Sequence, residues 1–363
     1  MLRSECPYSS TNMRIDSALE KLKQGENLTR TEARKVMEDL LSGGVPDETI
    51  AALLVALRDK GEILDEVVGF AEIMRARAAE ALAAAGVKIE SMEAAGALLD
   101  TCGTGGDGKG TFNVSTAAAL VAAAAGARVA KHGNRSISSR CGSADVLEAL
   151  GVAIEIPLRR IPECLERAGM VFLYAPQLHS ATKHVMNARR SLAGKTVFNL
   201  LGPLTNPLGA NVQLAGVYDP RRTEMMALSL AAFGSRRAFV VTSHDGMDEI
   251  SIAGLTQISE ACEGRLATRH LVPEEFGLAQ RAPAGAWAGG DRETNARIIT
   301  EVLHRACGPY RDMVLVNASA ALVVAGVAAD FLAGMDMARR AIDSGAARQK
   351  LTSLKEFTQK YRL

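Results

Sequence analysis

Apolar residues recur at helical spacing up to about residue 85 and come in short continuous blocks after residue 95. Ile15, Leu19 and Leu22 share one helical face. In Leu28-Thr29-Arg30-Thr31-Glu32-Ala33 a threonine stands where it caps a helix over Ala33–Leu41. Pro46-Asp47-Glu48 opens a helix that runs through Leu57, and Asp65 opens one through Ala79. Beyond residue 95, apolar blocks at Leu98–Thr101, Ala127–Lys131, Ala153–Ile156, Met170–Tyr174, Gln213–Tyr218 and Ala238–Thr242 alternate with helical stretches. Such alternation predicts a mostly parallel central sheet flanked by helices. Strand-like pieces follow around Ile258 and His270, then helices from about Ala296 to the end. The chain therefore reads as α/β in class. A small all-helical domain spans 13–95 and a larger α/β domain spans 96–363, with a helical segment near 183–205 packing on the first.

Composition narrows the function classes. A chain of 363 residues suits two domains better than one. Hydrophobic residues make up 48% and charged residues 23%, as in soluble globular proteins. The net charge of 42 − 41 = +1 gives no basic field for nucleic acid. Six cysteines lie apart with no CxxC pair, which reads as reduced thiols in the cytoplasm and not as a disulfide or zinc framework. Apolar runs such as Ala117–Ala125 are too short to span a bilayer. Residues 1–12, MLRSECPYSSTN, lack an apolar signal core and read as a disordered lead-in, with Met13 as an alternative start.

The candidate chemistry concentrates in residues 102–145. Three elements there suit a ligand with several phosphates. Gly103-Thr104-Gly105-Gly106-Asp107-Gly108 is a turn that lets backbone N–H groups come close. Asn113-Val114-Ser115-Thr116 opens an Ala-rich helix, whose N-terminus attracts anions. Lys131-His132-Gly133-Asn134-Arg135-Ser136-Ile137-Ser138-Ser139 adds charge and hydroxyl donors. The turn also nearly matches a dinucleotide fingerprint, but Arg128 stands near the place of the ribose-binding acid. It nearly matches a nucleotide P-loop too, but Gly110 follows Lys109 where Ser or Thr is needed.

Two further regions carry charge in loop-like settings. Asp248 and Glu249, in Ser243-His244-Asp245-Gly246-Met247-Asp248-Glu249-Ile250-Ser251, read alone as a solvated acidic turn. Beside a polyphosphate site they read as magnesium ligands. Arg189 or Arg190 suits a carboxylate through a bidentate fork, the other being an ordinary surface arginine. The six histidines show no metalloprotease spacing, and Cys102 and Cys141 read as small packed hydrophobes.

The set GTGGDG, NVST, KHGNRSISSRCGSADVLEALG, FNLLGPLTNP and GMDEIS closely resembles the anthranilate phosphoribosyltransferase family, from roughly Ile15 to Phe357. The resemblance implies transfer of a phosphoribosyl group from 5-phosphoribosyl 1-pyrophosphate (PRPP) to anthranilate in tryptophan biosynthesis. It implies magnesium as cofactor, a homodimer, and a separate anthranilate synthase or glutaminase as a possible partner, since nothing here resembles a fused glutaminase domain. PRPP contacts carried over from the family fall on Gly103, Gly106, Asp107, Thr111, Asn113, Val114, Ser115, Thr116, Lys131, His132, Gly133, Asn134, Arg135, Ser136, Ile137, Ser138, Ser139 and Ser143. Magnesium positions fall on Ser115, Asp248 and Glu249, and anthranilate contacts on Asn134 and Arg189. Two departures stand out: His179-Ser180-Ala181 replaces the usual His-Pro-Ala, and Ala193-Gly194 fits the spacing after Arg189 only approximately. The implied chemistry needs charge stabilisation and positioning, so no general base and no covalent intermediate is expected. Competing readings are a pyrimidine nucleoside phosphorylase-like enzyme, a non-catalytic nucleic-acid-binding relative and a dinucleotide-dependent dehydrogenase.

Overall fold

The structure is a computed structural model and describes residues 15–89, 96–136, 140–192, 194–279, 281–283 and 285–363. The expected lead-in, the loop residues Ile137, Ser138 and Ser139, and Ala193 lie outside the described residues.

The chain opens with α1 (Ile15–Lys23), α2 (Arg30–Ser42), α3 (Asp47–Lys60) and α4 (Leu64–Ala84). Thr29 caps α2 as its position predicts. The Glu32 N–H donates to Thr29 Oγ1 (3.2 Å) and the Thr29 N–H donates to Glu32 Oε2 (2.8 Å). Each side chain thus satisfies the other's free backbone donor. A second carboxylate ties three elements together. Buried Glu66 accepts from the Leu28 N–H (2.9 Å), the Ile63 N–H (3.0 Å) and Lys60 Nζ (3.0 Å). A buried charge persists only when it is paired and hydrogen-bonded in this way.

The α/β part follows as β1 (Leu99–Gly103), α5 (Val114–Ala124), β2 (Val129–Gly133), α6 (Ser143–Ala149), α7 (Ile161–Ala168) and β3 (Met170–Tyr174). Then come α8 (Lys183–Ser191), α9 (Val197–Leu201), β4 (Val212–Gly216), α10 (Thr223–Ala232), β5 (Arg237–Ser243), β6 (Thr256–Cys262) and β7 (Arg265–Leu271). The chain closes with α11 (Arg292–Leu303), α12 (Pro309–Val324), α13 (Phe331–Asp343) and α14 (Ala346–Lys360). Among the described residues the sheet has seven strands in the order β3-β2-β1-β4-β5-β6-β7. The first five run parallel, and β6 and β7 continue antiparallel. β3 and β4 are buried along their whole length, as strands covered on both faces must be.

One expected strand does not form. Ala153, Ile154 and Ile156 are buried and Glu155 is exposed; the segment joins none of the described strands, and its backbone bonds elsewhere. The Ala153 N–H donates to Thr358 Oγ1 (3.1 Å), and Gln177 Nε2 donates to the Ile156 carbonyl (2.8 Å). The Glu155 carbonyl accepts from the Leu363 N–H (3.2 Å). A short apolar run looks the same in a strand and in buried coil.

The parallel strands end level with one another. Gly103 stands opposite Gly216, and Gly216 opposite Val241. Loops leaving these carboxyl ends therefore emerge side by side, where open α/β sheets bind ligands. One apolar core lies mostly within the α/β part and takes in Leu82 of α4 and Val87. A second joins the N-terminal helices to Val185 and Ala188 of α8, Phe198 and Leu201 of α9, and Met226 and Leu230 of α10. Among the described residues, no helix is long and apolar enough to cross a membrane.

Candidate active site

The glycine turn leaves the end of β1. Gly105, Gly106, Gly108 and Gly110 have φ of +61°, +73°, +71° and +65°, a region that favours glycine. The acidic loop after β5 braces this turn, because the Gly105 N–H donates to Asp248 Oδ2 (2.8 Å). It also caps α5, because the Ser115 N–H donates to Glu249 Oε1 (3.1 Å). A carboxyl oxygen thus satisfies one of the free N–H groups at the start of the helix. Asn113 is held from both sides: Nδ2 donates to the Cys141 carbonyl (3.2 Å), and Oδ1 accepts from Asn295 Nδ2 (2.9 Å). From β2, buried Lys131 donates to the Thr101 carbonyl and to Ser115 Oγ (3.2 Å).

These pieces surround one cavity of about 330 Å³. Its lining includes Gly103, Gly106, Asp107, Thr111, Asn113, Val114, Ser115, Lys131, His132, Gly133, Asn134, Arg135, Ser136, Ser143, Arg189, Asp248 and Glu249. Thr116 is the exception among the described candidates: its side chain is buried in α5 away from the cavity. Arg135 borders the cavity, but its guanidinium pairs with Glu148 (Nη2 to Oε1, 2.8 Å) and Asp145 (3.2 Å). Part of the lining is of a different character: Met74, Pro176, His179, Met186, Phe198 and Arg189. The Arg189 guanidinium lies over the Phe198 ring at 4.8 Å and reaches the Met186 sulfur at 3.7 Å. Among the described residues no carboxylate pairs with it, and burial lowers its pKa to about 10. Arg190, by contrast, is exposed.

Charge crowds another part of the lining. Burial raises the pKa of both Asp248 and Glu249; Asp107 raises that of Asp248 further, and Asp248 that of Glu249. Asp107 Oδ2 is buried without a hydrogen-bond partner. Burial lowers the pKa of Lys131, and nearby Asp100 opposes that shift. Asp100 accepts from the His132 N–H (3.1 Å) and Asn206 Nδ2 (2.8 Å), and burial raises its pKa to about 6. Burial lowers His132 to about 3 and His179 to about 4, so both rings are neutral near pH 7. Burial raises the thiols of Cys102 and Cys141, which pack in the core and do not act as thiolates.

One cavity therefore brings the glycine turn, the start of α5 and Lys131 together with several apolar side chains and an arginine that, among the described residues, has no carboxylate partner. The pattern of the glycosyl transferase family, a/b domain, matches residues 95–348, and that of its helical bundle domain matches residues 16–78. An anthranilate phosphoribosyltransferase of Desulfatibacillum aliphaticivorans is 48% identical over 94% of this chain and 98% of its own length. The chain belongs to the anthranilate phosphoribosyltransferase family. The crystal structure of the Thermus thermophilus anthranilate phosphoribosyltransferase superposes with a TM-score of 0.83 at 41% identity, covering 94% of this chain and 99% of that one. The Saccharomyces cerevisiae anthranilate phosphoribosyltransferase, solved in complex with PRPP and Mg, superposes with a TM-score of 0.81 at 26% identity, covering 95% and 98%.

In this member of the anthranilate phosphoribosyltransferase family the acidic end fits magnesium by the chemistry of its donors. Asp248, Glu249 and the Ser115 hydroxyl offer oxygen atoms of the hard type that magnesium takes, and the neighbouring Asp107 Oδ2 is buried without a hydrogen-bond partner. Among the described residues, no group of three or more His, Cys, Asp or Glu side chains is placed to hold a metal. Two lining histidines rest on the FNLLGPLTNP stretch, to which the sequence alone assigns no role. His179 bonds the Thr205 carbonyl (3.1 Å), and His132 bonds the Gly202 carbonyl (3.2 Å). Gly202, Thr205 and Asn206 all belong to the FNLLGPLTNP stretch, so this segment supports the two histidines and Asp100.

Proposed function

We propose that this chain transfers the 5-phosphoribosyl group of PRPP to the amine of anthranilate, giving N-(5-phosphoribosyl)anthranilate and pyrophosphate in L-tryptophan biosynthesis. The observation that carries the reading is Arg189, a half-buried guanidinium with no carboxylate partner among the described residues, in the same cavity as the glycine turn and the start of α5. An aromatic acid placed with its carboxylate on Arg189 lies against Phe198 and Met186. Its amine then faces the glycine turn. The C1–oxygen bond of the ribose breaks with its electron pair leaving on pyrophosphate, and the amine lone pair forms the C1–N bond. The amine proton then passes to solvent. Backbone N–H groups at the turn and at α5 meet the charge that builds on the leaving group. The aromatic amine needs alignment more than deprotonation.

Magnesium, held by Asp248, Glu249 and Ser115, supplies counter-charge to the diphosphate when bound. Gly103, Gly106, Asp107, Thr111, Asn113 and Lys131 hold PRPP, and Asn134 and Arg189 hold anthranilate. The reading takes 13–95 as the helical domain, 96–363 as the α/β domain and the working form as a homodimer. The test is turnover with PRPP, magnesium and anthranilate, with thymidine plus phosphate and single-stranded DNA as controls. Phosphoribosylated anthranilate from the first mixture alone is the expected result. Thymidine phosphorolysis or DNA binding in its place would overturn the reading.

A further inference from the structure

The acidic pair stands between two fixed points. Met247 before it and Ile250 after it are both buried. Ser243 pins the first: the Met247 N–H donates to Ser243 Oγ (3.1 Å), and the Ser243 N–H donates to the Met247 carbonyl (3.0 Å). Ile250 is pinned from another element. Asn317, fully buried in α12, accepts from the Ile250 N–H at Oδ1 (3.0 Å) and donates from Nδ2 to the Ile250 carbonyl (3.1 Å). The other Nδ2 hydrogen goes to the Met313 carbonyl (2.9 Å). Both donors are spoken for, so this carboxamide has none to offer a substrate. Its setting is otherwise wrong for Asn. α12 is buried nearly throughout, with Val316 and Ala318 beside Asn317. A leucine there would avoid the desolvation of an amide, a cost that only these hydrogen bonds offset. Asn317 also borders a small space beneath Asp248 and Glu249, together with Thr101, Gly103 and Ser115.

We propose that Asn317 is a positioning residue for the transfer reaction. By holding both peptide groups of Ile250 it fixes the direction in which Asp248 and Glu249 present their oxygens. The proposal rests on reading that pair as magnesium ligands. Magnesium tolerates little departure from octahedral geometry at about 2.0–2.1 Å, so a small slip of this loop weakens binding.

The test compares the full-length protein with Asn317→Asp, which keeps volume but loses the donor, and with Asn317→Ser and Asn317→Ala. Mn²⁺ binding is followed by electron paramagnetic resonance at saturating PRPP, magnesium dependence by turnover, and exchange of the Ile250 amide by NMR. The Mn²⁺ Kd and the half-saturating magnesium concentration should each rise about tenfold, the worth of one good hydrogen bond, while the anthranilate KM moves less than about twofold. Exchange at Ile250 should accelerate. Asp248→Asn, measured alongside, separates the two ideas. If it leaves Mn²⁺ binding unchanged, the metal reading itself fails. If it weakens Mn²⁺ binding while the folded Asn317 variants bind as the unaltered chain does, the positioning role is overturned. Where Asn317→Ala does not fold, Asn317→Asp and Asn317→Ser decide.

Discussion

Arg189 and Arg190 are neighbours in α8, yet the fold gives them opposite settings. Arg190 is exposed, whereas Arg189 turns into the cavity over Phe198. The residues alone leave the choice between them open, because adjacent helical positions differ only by rotation toward the core. The resemblance to the family favours Arg189, and the placement of Phe198 and Met186 agrees with that choice. Losing a charge-assisted hydrogen bond costs about 1.5–3 kcal/mol, which is about ten- to a hundredfold in affinity. Arg189→Ala should therefore raise the anthranilate KM by that factor and leave the PRPP KM nearly unchanged. The melting temperature of the unliganded protein should change little, because the lost contacts with Phe198 and Met186 are offset by removal of a desolvated charge. Arg190→Ala is the control. Steady-state kinetics giving equal, small effects at both positions would remove Arg189 from the anthranilate end.

Elements explain why the motifs look as they do. Gly216 ends β4 level with Gly103 and shows no positive φ, so backbone freedom is not its reason. Its reason is space. A Cβ at Gly216 would stand 1.6 Å from the Asp248 carbonyl oxygen, and one at Gly103 would stand 2.5 Å from Asp248 Oδ2. The acidic loop thus lies directly on the ends of two strands. Gly216→Ala should push that loop away and destabilise the fold by about 1–3 kcal/mol, the usual cost of overpacking a closed site. Activity should fall more than stability does, since the carboxylates that brace Gly105 and Ser115 move first. Chemical denaturation beside turnover measures both; an alanine variant with normal stability and normal turnover would mean that the loop is not wedged there. Much of this layer is legible in the sequence. The Thr29 cap, the parallel strands and the three phosphate elements all carry local signals, namely a hydroxyl three residues before a glutamate, apolar blocks, and glycines followed by basic residues. What escapes is nonlocal. Asn317 sits in a helix whose pattern announces only burial and Asn295 in an amphipathic one, and their partners lie far away at Ile250 and Asn113. Thr116 belongs to the site by its motif, but its helix turns that side chain inward. Ala153–Ile156 has a strand's composition and finds a partner in the C-terminal helix.

At the scale of the whole molecule, the cavity draws on both parts of the chain. The phosphate cradle comes from loops of the sheet, whereas Met74 comes from α4 and Arg189 from α8. α8 shares its core with the N-terminal helices. The expected motion is a closure of one part on the other that brings amine and ribose C1 together, with opening to release product. The contact between them limits how far they travel. The second apolar core runs without a break from the N-terminal helices to Met226 and Leu230 of α10. It is flanked by Arg222, which donates to Glu62 Oε2 (2.6 Å) and to the Glu62 carbonyl (2.9 Å). An apolar, ion-paired contact favours a small hinge or sliding motion over wide opening. The glycine turn is the more compliant side, because Gly105–Gly108 has little apolar surface to bury. Hydrogen exchange with and without PRPP and magnesium should show rising protection across residues 103–116 and 131–136. Protection at Met226 and Leu230 should stay constant, because that core does not open. Loss of protection at α10 on ligand binding would mean that the parts separate and re-form. An unchanged pattern at residues 103–116 under saturating ligand would mean that the site is already closed, and the motion would have no place in turnover.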